Sequence, residues 1–202
     1  GSPWTLAAYS IEGRSSKDFE KTLNFLVSNQ KDVHNLLTKY TDACFLYLRR
    51  QVQSGADVIQ IFDSWANLLT KEGLIEYSFN YINALISALK LDPVTKNIPV
   101  IVFARNPKCN IEELINTSAD CISLFWSMND LNFELAKNKV AIQGNLDPKI
   151  LLESDEIIKR ETYKILEKFE KYPGYIFNLG HGITPDINPD KIKYLTNIVR
   201  EY

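Results

Sequence analysis

Histidine and cysteine are scarce in this chain, two and three residues among 202. Cys44, Cys109 and Cys121 are odd in number and form no C-x-x-C pair, which argues against a disulfide framework and for reduced thiols. No His-x-Cys or Cys-x-x-Cys pair of ligands occurs, so a zinc site has no support in the sequence and none is expected. Long hydrophobic runs are missing too: none approaches the roughly 20 residues that cross a bilayer. The start, Gly1-Ser2-Pro3-Trp4, lacks the basic stretch and apolar core of a secretory signal. A soluble, cytoplasmic protein without a membrane partner is the expectation. Charge of one sign is not in excess, 23 Lys+Arg against 25 Asp+Glu, so no global field recruits nucleic acid. Anionic small substrates stay open, because a pocket can be basic inside a neutral protein. Neither G-x-x-x-x-G-K-S/T nor G-x-G-x-x-G is present, which leaves nucleotide binding without a motif. Ser64 has no G-x-S-x-G elbow around it and does not read as a hydrolase nucleophile.

What is present is the composition of a globular protein, 45% hydrophobic, 11% aromatic and 24% charged. Its length allows one domain or two small ones with a sizeable core. Short apolar runs rich in branched and aromatic residues recur at 58–62, 100–103, 121–126, 140–143 and 175–179. Their near-continuous hydrophobicity predicts strands buried on both faces, as in a parallel sheet. Stretches with helical spacing lie between them. Val33, Leu36, Leu37, Tyr40, Cys44 and Leu48 make one apolar stripe, and Gly55 stands where that helix would end. Ile157, Ile158, Ile165, Leu166 and Phe169 mark another helix, with Ser154 as its expected N-cap. Before the last helix Asn188 can cap and Pro189 can occupy the first turn. Alternating helices and strands, with no linker rich in Gly, Ser or Pro, predict an α/β fold of successive βα units.

Each predicted strand runs into a short polar segment: Asp63-Ser64-Trp65, Arg105-Asn106, Ser127, residues 144–148 and Gly180-His181-Gly182. Parallel α/β folds build their sites at the carboxyl ends of strands. Asn145 and Asp147-Pro148 are equally well explained as turn formers. His181 is sharper, because its flanking glycines leave room for a ligand and imidazole can bond or pair with a carboxylate. His34 lies inside the helical stretch and reads as exposed or packing. Trp4, Trp65 and Trp126 read as core or as the wall of a pocket for a flat ligand. From the residues alone the chain is an α/β enzyme whose pocket carries Ser64, His181 and several aromatics, with no substrate named.

Four segments then resemble one family. Residues 3–13, PWTLAAYSIEG, look like the P-(W/F)-T-L-x-x-Y-x-x-E-G segment of uroporphyrinogen decarboxylase, and 60–66, QIFDSWA, look like its Q-(I/L)-F-(D/E)-S segment. Residues 143–148, QGNLDP, and 177–183, FNLGHGI, match its two later motifs in order and with family-like spacing. The resemblance implies a (β/α)8 TIM barrel, of which this chain would hold about strands four to eight and their helices. Residues 1–202 would be the C-terminal part of a single barrel domain, with no second domain. It implies decarboxylation of the four acetate side chains of uroporphyrinogen III to give coproporphyrinogen III in haem biosynthesis, with no cofactor and no metal, in a homodimer. By position in the motifs, Tyr9, Ser64 and His181 would contact substrate. Such chemistry needs a protonated pyrrole ring as electron sink, and a fixed carboxylate to stabilise that cation.

No residue here matches the family's catalytic aspartate, which lies upstream of these motifs; Asp63 and Asp147 do not correspond to it. Further departures are Arg14-Ser15-Ser16 after Glu12-Gly13, Asn67 after Ser64-Trp65-Ala66, and Phe125 before Trp126 where the family carries aspartate. Two alternatives stand beside the decarboxylase: a zinc-dependent corrinoid methyltransferase of the related barrel group, and a non-catalytic, truncated porphyrinogen-binding module. A complete barrel needs roughly 250 residues. The 202 present are therefore expected to be the latter part of a larger enzyme, inactive alone and prone to associate through two unpaired sheet edges.

Overall fold

A computed structural model describes residues 1–14, 16, 18–129 and 131–202. The chain forms two compact units, Gly1–Ile122 and Ser123–Tyr202. In the first, helix α1 (Pro3–Glu12) begins as its sequence dictates: the Ser2 hydroxyl accepts the Thr5 N–H at 3.0 Å and Pro3 fills the first turn. The helix ends at Gly13, whose φ of +80° favours a residue without a side chain. Trp4, Ala7 and Ala8 on its inner face are fully buried. Helix α2 (Glu20–Ser28) leads into the long α3 (Gln30–Gln53), where the predicted stripe is found. Val33, Leu37 and Cys44 are buried and Leu36, Tyr40 and Leu48 half-buried, and Gly55 turns the chain with φ of +100°.

Strand β1 (Ile59–Asp63) runs parallel to β2 (Val100–Ala104), in a register that sets Ile59 opposite Val100 and Asp63 opposite Ala104. The crossover between them is α4 (Lys71–Leu74), one π-type turn at Ile75–Phe79, and α5 (Asn80–Leu91). After β2 the short α6 (Ile111–Ile115) opens with a capping box, Asn110 Oδ1 accepting from Glu113 N and Glu113 Oε2 from Asn110 N. Strand β3 (Cys121–Ser123) carries the chain across the unit boundary. In the second unit β4 (Ala141–Gln143) pairs in parallel with β5 (Tyr175–Ile176). Helices α7 (Asp155–Phe169) and α8 (Pro189–Glu201) follow these strands. Leu146, Leu151, Ile158, Ile187, Leu195 and Ile198 form their shared core, each such side chain contributing about 1.5–3 kcal/mol on burial. Within the first unit β1 and β2 are hydrogen-bonded neighbours, and within the second β4 and β5 are.

All five predicted strands exist, with corrections. The 121–126 strand stops at Ser123: Leu124 N still donates to Gln143 O at 2.8 Å, but Phe125 O then accepts Met128 N in a turn. The 175–179 strand stops at Ile176, because Asn178 Oδ1 takes the Leu179 N–H at 2.8 Å and so competes with the ladder. Pairing resumes as a single bridge between Leu146 and Leu179. Alternation predicts a helix between β3 and β4, yet the described residues there hold one 3-10 turn, Phe133–Leu135. Asn132 Oδ1 accepts Glu134 N, and Asn138 takes a left-handed φ of +62°, so asparagines begin and break it. Burial on both faces holds for β2, whereas Phe62 on β1 and Ile176 on β5 are 46% and 44% exposed. Ser154 occupies the N-cap of α7 without a capping bond, its hydroxyl engaging Glu156 instead. Asn188 caps α8 as predicted, accepting Asp190 N at 2.9 Å. Of the predicted loop at 14–16, Ser15 lies outside the described residues.

Candidate functional site

In the first unit the candidate residues hang on one buried carboxylate. Asp63, last in β1, is fully buried and accepts three hydroxyls: Ser2 at 2.7 Å, Thr5 at 3.1 Å and Ser78 at 2.5 Å. Ser2 and Thr5 belong to the first turn of α1, and Ser78 to the π-type turn. Burial holds the Asp63 carboxyl above its ordinary range, against the lowering pull of these hydroxyls. Two more bonds join α1 to the end of β1, Ser2 N to Phe62 O at 2.7 Å and Trp4 Nε1 to Trp65 O at 3.0 Å. Ser64 therefore sits half-buried in a turn gripped on both sides. Asp63 is a strut, in keeping with its lack of a motif counterpart to the missing aspartate.

Tyr9, in the last turn of α1, is 41% exposed. Its ring meets Trp65 edge-on at 5.8 Å and Phe19 at 6.0 Å, which puts it beside the Ser64 turn. Phe19 packs on Trp65 at 4.3 Å. It holds a left-handed φ of +50°, a strain of about 1–2 kcal/mol that full burial of the ring offsets. Arg105, the first residue beyond β2, extends the ladder by donating its N–H to Asp63 O at 3.0 Å, and its guanidinium lies 5.6 Å from the Trp65 ring centre. Two buried polar atoms here have no hydrogen-bond partner, Trp65 Nε1 and Asn67 Oδ1. An orphaned buried polar atom costs about 1–3 kcal/mol; a ligand acceptor would satisfy the indole N–H, and a ligand donor the amide oxygen.

In the second unit His181 is exposed at the turn after β5, its Nδ1 3.4 Å from Gly182 O and its ring edge-on to Phe125 at 5.8 Å. The flanking glycines differ in purpose. A Cβ on Gly180 would collide with the Trp126 backbone, its Cα at 2.5 Å, while Gly182 faces open space. Only the second fits the reading of glycine as room for a ligand. Phe125, where the family carries aspartate, is buried and packs on Trp126 and His181. Asn145 is a buried clamp, donating to Phe125 O, Trp126 O and Asn129 Oδ1, and Asp147 caps the turn at Pro148–Leu152. A cleft nearby includes Lys164 and Lys168, already engaged by Glu161 and by Asn129 O.

His34 belongs to packing: Nδ1 meets the Tyr81 hydroxyl at 2.7 Å, Nε2 meets Glu76 at 3.3 Å, and the ring stacks on Tyr77. Trp4 is core. Among the described residues no three or more His, Cys, Asp or Glu side chains gather as a metal site, and no helix is long and apolar enough to cross a membrane. Sequence reasoning left Arg105 and Phe19 out of the site. Arg105 was legible as a strand-end cation, but its stacking on Trp65 appears only once the register of β1 and β2 is known.

Fold and site together define an α/β protein of successive parallel βα units that collects its polar and aromatic side chains just past the strand ends. A family model described as uroporphyrinogen decarboxylase (URO-D) matches residues 1–202, and the chain belongs to that family. It is 40% identical to the uroporphyrinogen decarboxylase of Ruthia magnifica over 204 residues, covering 100% of this chain and 58% of that protein. The same-named protein of Alcanivorax borkumensis is 39% identical over 203 residues, with 57% of it covered. That of Aquifex aeolicus is 40% identical over 202, with 59% covered. The chain thus spans under two thirds of the curated relatives it matches. A solved methyltransferase from Methanosarcina mazei shares the fold, with a TM-score of 0.78 at 18% identity over 99% of this chain and 56% of its own.

Proposed function

We propose that this chain is the latter part of a uroporphyrinogen decarboxylase, residues 1–202 forming one piece of a single (β/α)8 barrel and supplying about strands four to eight. What carries the reading is the family match over the whole chain. Its reaction removes carbon dioxide from the four acetate arms of uroporphyrinogen III and leaves methyl groups, giving coproporphyrinogen III. A pyrrole carbon takes a proton, and the C–C bond to the carboxylate breaks into the cationic ring with release of carbon dioxide. The resulting methylene takes a second proton to become the methyl, and the ring carbon gives up the first to restore the pyrrole. In this reading Tyr9, Ser64 and His181 bind substrate. Two hydroxyls and an imidazole can each hydrogen-bond an acetate or propionate oxygen in a partly desolvated cleft. The protein works without a cofactor, as a homodimer, in the cytoplasm.

The test is an anaerobic assay with uroporphyrinogen III, using the chain alone and the chain combined with the remainder of a relative's polypeptide. Coproporphyrinogen from the combination and none from the chain alone is expected. Substrate binding with no carbon dioxide from either sample would replace the enzyme by a porphyrinogen-binding module.

A further inference from the structure

One cation at the strand ends has no carboxylate partner. Arg105 forms no ion pair with any described residue, although eight other basic side chains do, and it is half-buried rather than solvated. Its placement follows from the register. Asp63 pairs with Ala104, so Ser64 and Arg105 are the first residues past the ends of β1 and β2, and the Arg105 N to Asp63 O bond holds the two segments together. The rings of Phe62 and Phe103 meet at 5.9 Å on one face of the pair.

The geometry points to Arg105 as a binding residue for one carboxylate arm of the substrate, with the Trp65 indole N–H as a second donor. This rests on the decarboxylase reading above and deepens it. A guanidinium carries paired donors in a planar fork that matches a carboxylate, and it stays charged at any working pH. The Trp65 ring beneath it, 5.6 Å away, limits the orientations of the fork and so lowers the ordering cost of binding. Partial burial strengthens the attraction, since water screens it less. Trp65 Nε1 is buried without a partner in the chain. A ligand oxygen at this place would satisfy it and neutralise the arginine together. Trp65 itself is held by Trp4 and Phe19, so the platform is rigid.

Equilibrium dialysis of uroporphyrinogen III, in the dark without oxygen, against the 202-residue chain tests this. Arg105→Gln is expected to weaken binding about tenfold or more, with thermal stability kept. Arg105→Lys should recover only part of that loss, since a point charge cannot make the paired bonds. Trp65→Phe, which keeps a ring but removes the N–H, should weaken binding severalfold. Equal binding by wild type and Arg105→Gln overturns the assignment and leaves the decarboxylase reading intact. No binding by wild type, alone or combined with the remainder of a relative's polypeptide, overturns both. Should Arg105→Gln fail to fold, phenylglyoxal labelling of wild type decides: protection of Arg105 by uroporphyrinogen III supports the assignment, and labelling unaffected by it refutes it.

Discussion

The Ser78 hydroxyl donates to the Asp63 carboxylate at 2.5 Å, deep inside the first unit. This bond fastens the π-type turn to the end of β1, and the same carboxylate fastens the first turn of α1 through Ser2 and Thr5. Ser64 and Tyr9 flank that joint and take their positions from it.

Asp63→Ala leaves three buried hydroxyls without an acceptor. At about 1–3 kcal/mol for each orphaned group, a loss of about 3 kcal/mol or more is expected, read from urea midpoints. The pH dependence has a definite sign. Burial raises the folded-state value of Asp63 above its unfolded value near 3.9, so its contribution is complete below that pH and is lost as pH rises through the folded value. The stability advantage of wild type over Asp63→Asn should therefore shrink from about pH 3 upward. An advantage that grows with pH would show that the three hydroxyls outweigh burial.

Gly180→Ala places a methyl group in the path of the Trp126 backbone, which cannot swing aside as a side chain can. Destabilisation of about 1–3 kcal/mol is expected, together with displacement of His181. A thermal melt reads the first, and the imidazole resonances in NMR read the second.

All three cysteines are free thiols. Burial pushes Cys109 and Cys121 up to about 12 and raises Cys44 as well. At pH near 8, alkylation of Cys109 and Cys121 by iodoacetamide should run on the order of a thousandfold slower than for an ordinary thiol. In urea all three should react at ordinary rates. Rapid native labelling followed by mass spectrometry would contradict this.

Tyr9→Phe and His181→Asn each remove one hydrogen-bonding group while keeping most of the shape. In the combined decarboxylase assay, each should lower turnover about tenfold or more, as lost positioning contacts do. Unchanged kinetics for either would take that residue out of the site.

Much of this was legible in the amino-acid order. Strand positions followed from apolar runs, the α3 stripe from helical spacing, and the cap at Asn188-Pro189 from local hydrogen-bond chemistry. The four motifs singled out Tyr9, Ser64 and His181 as candidates. These signals are local, each set by residues within a few positions of one another, and local geometry leaves little choice about them. Strand lengths were less legible, because the asparagines at 132, 138 and 178 compete for backbone bonds that a run of apolar letters cannot register.

The tertiary structure decided what depends on residues far apart in the chain. Asp63 looked like a spare strand-end carboxylate until packing brought Ser2, Thr5 and Ser78 to it, from as far as 61 positions away. Gly180 looked like room for a ligand until the Trp126 backbone came to lie against it. Arg105 was one cation among 23 until the register of β1 and β2 set it beside Ser64 and over Trp65. Periodicity reports which face of an element is apolar; only the packed chain determines which buried polar groups find partners and which are left facing a ligand.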